Sequence, residues 1–258
     1  MTLTLGTGPL AESPGGALNF DLGDAPEHRI FFEDYPRRLR AVLGGRTILD
    51  TTAGKLLHET GHLPVAYVPV GDLDASRLTR TDHATHCPYK GDASYWTLTA
   101  GDETRENFVW AYEAPLAAAG WLAGYAALPW DEVDELYVED ERQLGHLRDP
   151  YHRVDAMESS RHVRVTVGGE VVAESDRPVM LFETGLPPRP YLPRADVRPG
   201  VLTPSEKRTI CPYKGEASYW NAGEARDVAF SYETPLPEAM RAQGHVSFDG
   251  EGVTTEIT

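Results

Sequence analysis

Apolar and polar residues alternate most clearly in the second half of the chain. Val163, Val165 and Val167 are separated by Arg164 and Thr166, the period-two pattern of a half-buried strand. Gly168-Gly169 follows, then Val171 to Glu174, and two such runs around a Gly-Gly pair read as a hairpin. Pro178 to Glu183 is a short apolar strand, and Pro187-Pro188 and Pro193 bracket an extended piece around Tyr191. Alternation returns over Asp227–Tyr232, His245–Phe248 and Val253–Ile257. The first half echoes this with Arg38–Leu43, Gly44-Gly45 and Arg46–Asp50. Helix is sparse, with short candidates at Leu116–Trp121 and Pro237–Gln243. Short strands punctuated by Gly and Pro predict a mainly β chain built as a sandwich or barrel-like fold.

The echo is a duplication. Cys87-Pro-Tyr-Lys-Gly-Asp-Ala-Ser-Tyr-Trp96 returns as Cys211-Pro-Tyr-Lys-Gly-Glu-Ala-Ser-Tyr-Trp220, an offset of 124 residues (211 − 87), with only Asp92 against Glu216 differing. The same offset pairs Gly45 with Gly169, Glu59-Thr60-Gly61 with Glu183-Thr184-Gly185, Tyr67 with Tyr191 and Pro69 with Pro193. Downstream, Tyr112-Glu113 pairs with Tyr232-Glu233 at an offset of 120, so the second copy is four residues shorter after its Trp. The expected organisation is an N-terminal arm over 1–27, a first repeat over 28–140, a linker over 141–159 and a second repeat over 160–258. Two such repeats are expected to pack about an approximate twofold axis.

Charge narrows the partners. A formal net charge of −16 argues against nucleic acid, which needs clustered Lys and Arg, and against an anionic membrane surface. No apolar run approaches the roughly 20 residues of a membrane helix. Residues 1–20 lack the basic start and apolar core of a signal peptide, and two cysteines are too few for a secreted disulfide scaffold. The expectation is a cytoplasmic monomer or homodimer acting on a small molecule, with no nucleic acid, membrane or cofactor.

The string Leu181-Phe-Glu-Thr-Gly-Leu-Pro-Pro188, then Tyr191-Leu-Pro193, then Cys211-Pro-Tyr-Lys-Gly215 with Ala217-Ser-Tyr-Trp220, resembles the family called domain of unknown function 427. The resemblance covers nearly all of both copies, and tandem forms with His58-Glu-Thr-Gly-His62 in the first copy are similar to those of actinobacteria and related bacteria. It implies two tandem β-tent domains similar to the Mss4-like group. Many members of that group hold structural zinc through paired Cys-x-x-Cys motifs, which this chain does not contain. A nucleotidyltransferase label is sometimes attached to the family. The residues give it no support, since there is no Gly-Ser motif followed by paired aspartates and no phosphate-binding Gly-rich loop.

Several residues are candidates for chemistry, each with a purely structural alternative. Cys87 and Cys211 read either as thiolates activated by Lys90 and Lys214 or as small buried hydrophobes in a turn. Lys90 and Lys214 read as a base or anion holder, or as salt-bridge partners of Glu59 and Glu183. Tyr89, Tyr95, Trp96 and their copies Tyr213, Tyr219, Trp220 read as pocket lining or as core. In the first copy His58, His62, His83 and His86 replace Phe182, Leu186, Lys207 and Ile210. If their segments meet, these histidines with Cys87 and Glu59 form an acid–base, thiol or metal site, although the spacing matches no zinc signature. His152 and Arg153 read as part of the linker.

Three functions follow. One is a hydrolytic or transfer enzyme with Cys87, His86, His58, Glu59 and Lys90 at work in the first repeat. The second is a non-catalytic binder with two equivalent pockets. The third is a block that serves folding alone.

Overall fold

The computed structural model describes residues 3–16 and 25–258. It divides into two compact units, the boundary falling between Asp149 and Pro150. The first unit holds β1 (Ile30–Asp34), β2 (Leu39–Leu43), β3 (Arg46–Thr51), β4 (Lys55–Glu59), β5 (Val65–Pro69), β6 (Leu78–Cys87), β7 (Gly91–Ala100), β8 (Glu103–Ala111), β9 (Tyr125–Ala127), β10 (Glu135–Val138) and β11 (Glu141–Arg142). They form a seven-stranded sheet, ordered β1-β4-β5-β9-β8-β7-β6, and a four-stranded sheet, β11-β10-β2-β3.

The second unit repeats the plan with β12 (Val154–Glu158), β13 (Val163–Val167), β14 (Glu170–Ser175), β15 (Val179–Glu183), β16 (Arg189–Pro193), β17 (Leu202–Cys211), β18 (Gly215–Ala222), β19 (Ala225–Tyr232), β20 (His245–Phe248) and β21 (Val253–Ile257). Its large sheet runs β12-β15-β16-β20-β19-β18-β17 and its small sheet β14-β13-β21. Each unit is thus mainly β, with a curled seven-stranded sheet of the tent type backed by a small one.

Strand alternation sorts the core into two layers around each large sheet. In the first unit Leu56, Ala66, Val68, Val109 and Ala126 face the small sheet, where Leu39, Ala41, Leu43 and Leu49 meet them. The intervening Leu57, Tyr67, Ala127 and the following Tyr112 form a second cluster with Leu122. That second layer is capped by a 3-10 helix, Ala117–Leu122, matched by Pro237–Ala242 in the second unit. Both 3-10 helices fall on the helical candidates of the sequence. A strand such as Val65–Pro69 is apolar on both faces because both faces are covered.

The segment 141–159, expected as a linker, carries a strand at each end. Glu141–Arg142 pairs with β10, and Val154–Glu158 is β12, the edge strand paired with β15. The compact unit that holds the second repeat begins at Pro150, against the expected 160. The expected arm falls partly on residues outside the description; residues 3–16 lie against the first unit through bonds given below. Among the described residues no helix is long and apolar enough to cross a membrane.

Candidate functional site

The Cys-Pro-Tyr-Lys-Gly block is the turn between β6 and β7 in one unit and between β17 and β18 in the other. Lys90 N donates to Cys87 O at 3.3 Å, and Lys214 N donates to Cys211 O at the same distance. Lys90 O accepts from Leu116 N, and Lys214 O from Leu236 N, both at 3.0 Å. Gly91 and Gly215 sit at φ 106° and 100°, and a Cβ there would lie 3.3 Å from Leu116 N or Thr234 O. Only glycine suits that combination of backbone conformation and close approach.

The pinned turn aims its lysine inward. Lys90 Nζ donates to Glu59 Oε2 at 2.6 Å, and both side chains are nine-tenths buried. His28 Nε2 lies 3.0 Å from the other oxygen, Oε1. The ring of His28 stacks on Tyr89, centroids 4.3 Å apart. Beneath them Tyr112 presents its ring 5.4 Å from Lys90 Nζ. Burial pushes Tyr67 and Tyr112 well above the ordinary phenol range, and the nearby Glu59 and Cys87 add to the rise. Burial also pushes the Glu59 carboxyl up, but Lys90 and His28 outweigh it and hold the group below its usual value.

The second unit repeats this geometry. Lys214 Nζ donates to Glu183 Oε2. His152 Nε2 lies 3.0 Å from Glu183 Oε1, and the His152 ring packs on Tyr213 at 4.0 Å. Burial opposes ionisation of Glu183, yet His152 and Lys214 bring its pKa down to about 2. The histidine is placed by the same clip in both units. Arg29 N donates to Thr60 Oγ1 at 3.0 Å while Thr60 N donates to Arg29 O, and Arg153 and Thr184 make the equivalent pair.

Of the residues expected in the site, Glu59, Lys90, Tyr89 and Cys87 come together, as do Glu183, Lys214, Tyr213 and Cys211. Cys87 and Cys211 are half-buried free thiols against the aromatic layer. The histidines expected beside Cys87 do not join it. His86 is exposed and pairs its Nδ1 with Asp92 at 2.6 Å. His58 is fully buried, with Nε2 2.9 Å from Glu33 Oε1 and its ring against Phe31. Each precedes a site residue in a strand, and successive strand residues point to opposite faces. His83 packs on Tyr95, and His62 approaches His28 edge-on at 6.1 Å. Among the described residues no three His, Cys, Asp or Glu side chains converge as metal ligands.

Trp96 and Trp220 also leave the site. They lie against the inter-sheet cores, under Arg80 and Arg194 respectively. Tyr95 and Tyr219 stay on the site's side of the sheet, bonding Thr85 and Thr209 through their hydroxyls. Sequence reasoning missed His28 as a site residue and assigned His152 to the linker. The signal was present, because His28-Arg29 and His152-Arg153 obey the 124-residue offset (152 − 28).

In the first unit His28 and Tyr89 face a cleft of about 440 Å³, lined also by Glu12, Glu27, Arg29 and Thr60. The arm builds one wall. Arg29 Nη1 donates to Ala11 O at 2.8 Å, Thr60 Oγ1 donates to Leu10 O at 2.9 Å, and Gly61 N donates to Thr4 O at 3.0 Å. His28 makes no hydrogen bond through Nδ1 among the described residues. An imidazole held at one nitrogen by a buried carboxylate and open at the other can accept or deliver a proton, or hold a polar ligand.

No curated protein matches the chain. A family model described as domain of unknown function DUF427 matches residues 31–139 and again residues 155–258, each match beginning three residues after the site histidine. The chain therefore belongs to that family, with one family domain in each unit.

Proposed function

We propose that the chain binds a small polar molecule in the cleft at His28, the outer member of a His28–Glu59–Lys90 station, with His152–Glu183–Lys214 as a twin station in the second repeat. The carrying observation is the repetition of the whole arrangement. The histidine–glutamate distance is 3.0 Å in both units, with a lysine on the second oxygen and a tyrosine on the imidazole. Buried ion pairs are no better for stability than well-packed apolar residues, so keeping two sets favours a role in recognition. A mixed polar cleft beside an exposed aromatic face suits a small hydrophilic ligand.

The open Nδ1 of His28 favours a second reading in which the bound molecule undergoes acid–base chemistry. A thiol enzyme is not the preferred reading, because His86 and His58 are engaged elsewhere. Two free cysteines fit a reducing cytoplasm, and the curled sheet fits the β-tent relation to the Mss4-like group.

The test is a panel of polar metabolites screened by saturation-transfer NMR against the intact chain, H28A and Y89A. Hits should weaken in both variants at temperatures where each remains folded. Hits that bind all three proteins equally would sink the assignment. Consumption of a hit by the intact chain but not by H28A would select the acid–base reading.

A further inference from the structure

The four residues missing from the second repeat lie at the tip of one hairpin. Leu98 pairs with Arg105 in the first unit, and the chain then continues through two more residue pairs before it turns. The equivalent pair in the second unit, Ala222 with Ala225, is already the last. At about 3.3 Å per residue the first hairpin reaches about 7 Å further.

Those extra residues close the end of the first core. Ala100, one of them, is fully buried, and Leu98, which stands where the second repeat has Ala222, is nearly so. The Ala100 carbonyl lies 2.5 Å from where a Cβ on Gly44 would stand, so the hairpin touches the β2–β3 turn. In the second unit that turn is Gly168-Gly169, and a Cβ on either glycine would meet nothing within 4 Å.

What remains there is a groove of about 640 Å³ between the Gly168 turn, the start of β17 and the Gly223 turn. Its floor is the inter-sheet core itself: Val167, Val172, Val201, Ala222 and Ala225. The rim is charged. Arg198 is spent on Val171 O at 2.8 Å and stands 3.9 Å from Glu170. Glu224 and Glu251 line the groove with no hydrogen bond or ion pair among the described residues.

We propose that the second repeat binds a small amphipathic amine in this groove. Its aliphatic body occupies the place that Leu98 and Ala100 fill in the first repeat, and its ammonium group meets Glu224 and Glu251. The first repeat shows that an aliphatic segment fits between these layers. The two uncommitted carboxylates, with the one rim cation already engaged, set the charge of the head group. This site is separate from the histidine stations and does not depend on the reading given to them.

The experiment is a ¹H–¹⁵N NMR titration of the full chain with hexylamine, hexanol and hexanoate. Hexylamine should shift the amides of Gly168, Val201 and Gly223, with affinity at least about tenfold above hexanoate. The double variant E224Q/E251Q should bring hexylamine down to the level of hexanol. A222L, which fills the floor as Leu98 does, should remove binding of all three while the remaining peaks stay in place. Should A222L not fold, replacing Gly223-Glu224 with the Thr99–Thr104 sequence serves the same purpose. The proposal is overturned by absence of shifts at about 10 mM hexylamine. It is equally overturned by equal binding of hexanoate, or by binding that survives the filled groove.

Discussion

Glu183 makes the second unit's stability depend on acid in a way that can be worked through. Its carboxyl is held at about 2 by His152 and Lys214 against an ordinary value of 4.5. A depressed pKa means that the unfolded chain binds the proton more readily. The group therefore stabilises the fold above pH 4.5 and loses that effect as pH falls toward 2. That lowering corresponds to on the order of 3 kcal/mol at neutral pH and roughly half of that at pH 3. Glu183→Gln removes the titration and keeps the shape. The gap between wild type and E183Q should be about 3 kcal/mol at pH 7 and shrink by roughly half at pH 3. The two units need not unfold together, so the urea titration should be followed on the Leu192 and Val246 peaks, which belong to the second unit's core. A gap that stays constant from pH 7 to pH 3 would mean that Glu183 is not held ionised by its neighbours, and the station as described would be wrong.

Other consequences are more local. His162 is bonded by Asp176 and Glu174, and the bond to Asp176 is the main reason its pKa rises above 6.5. Its imidazole should titrate above 6.5 by NMR and fall back in D176N; the clip stabilises below pH 6.5 and fades as pH rises through the folded value. Cys87 and Cys211 have matched surroundings without an adjacent imidazole, so their alkylation rates should agree within about threefold. A Cys87 that reacts rapidly below pH 7 while Cys211 stays slow would restore the thiol reading. Gly91→Ala places a methyl group at φ 106° against Leu116 N and should cost about 1–3 kcal/mol in urea unfolding of the first unit. Gly45→Ala, at φ 66° in open space, should cost less, and the reverse order would contradict the close approach.

Much of the fold was legible because duplication supplied two readings of each element. Val163, Val165 and Val167 have polar neighbours between them and read at once as β13. The small strands flanking the boundary were not legible, since β11 is two residues long and β12 joins an edge that the repeat alignment had not reached. The site was half legible. Glu59 with Lys90 and Glu183 with Lys214 stood as candidate pairs, and each pair forms. The four-histidine cluster failed on strand geometry: proximity in sequence placed His58 beside Glu59 and His86 beside Cys87, and alternation turned each away. Trp96 and Trp220 went to the core for the same reason, one residue past the tyrosines that stayed. His28 and His152 lie just before the first strand of each unit, where no hydrophobic period draws the eye and only the offset marks them.

The two repeats deliver one contact by different routes and build another in the same way. In the first unit Arg80 lies over Trp96 and pairs with Glu113. In the second, Arg194 lies over Trp220 and pairs with Glu233, the equivalent glutamate. Yet the two arginines are not equivalent. Pro204 stands where Arg80 would repeat, and Val70 stands where Arg194 would. An arginine that covers a tryptophan and neutralises a glutamate can thus be delivered from β6 in one copy and from the end of β16 in the other, because the fold needs the contact and not its origin. The stations allow no such freedom. Histidine, glutamate, tyrosine and lysine recur at one offset, on one set of elements, with the same nitrogen on the same carboxylate oxygen. If these residues served only to tie β4 to the β6–β7 turn, an apolar pair would do so at no loss of stability. The proposed recognition of a molecule outside the chain would fix both identity and position, and the matched geometry of the two stations accords with that proposal.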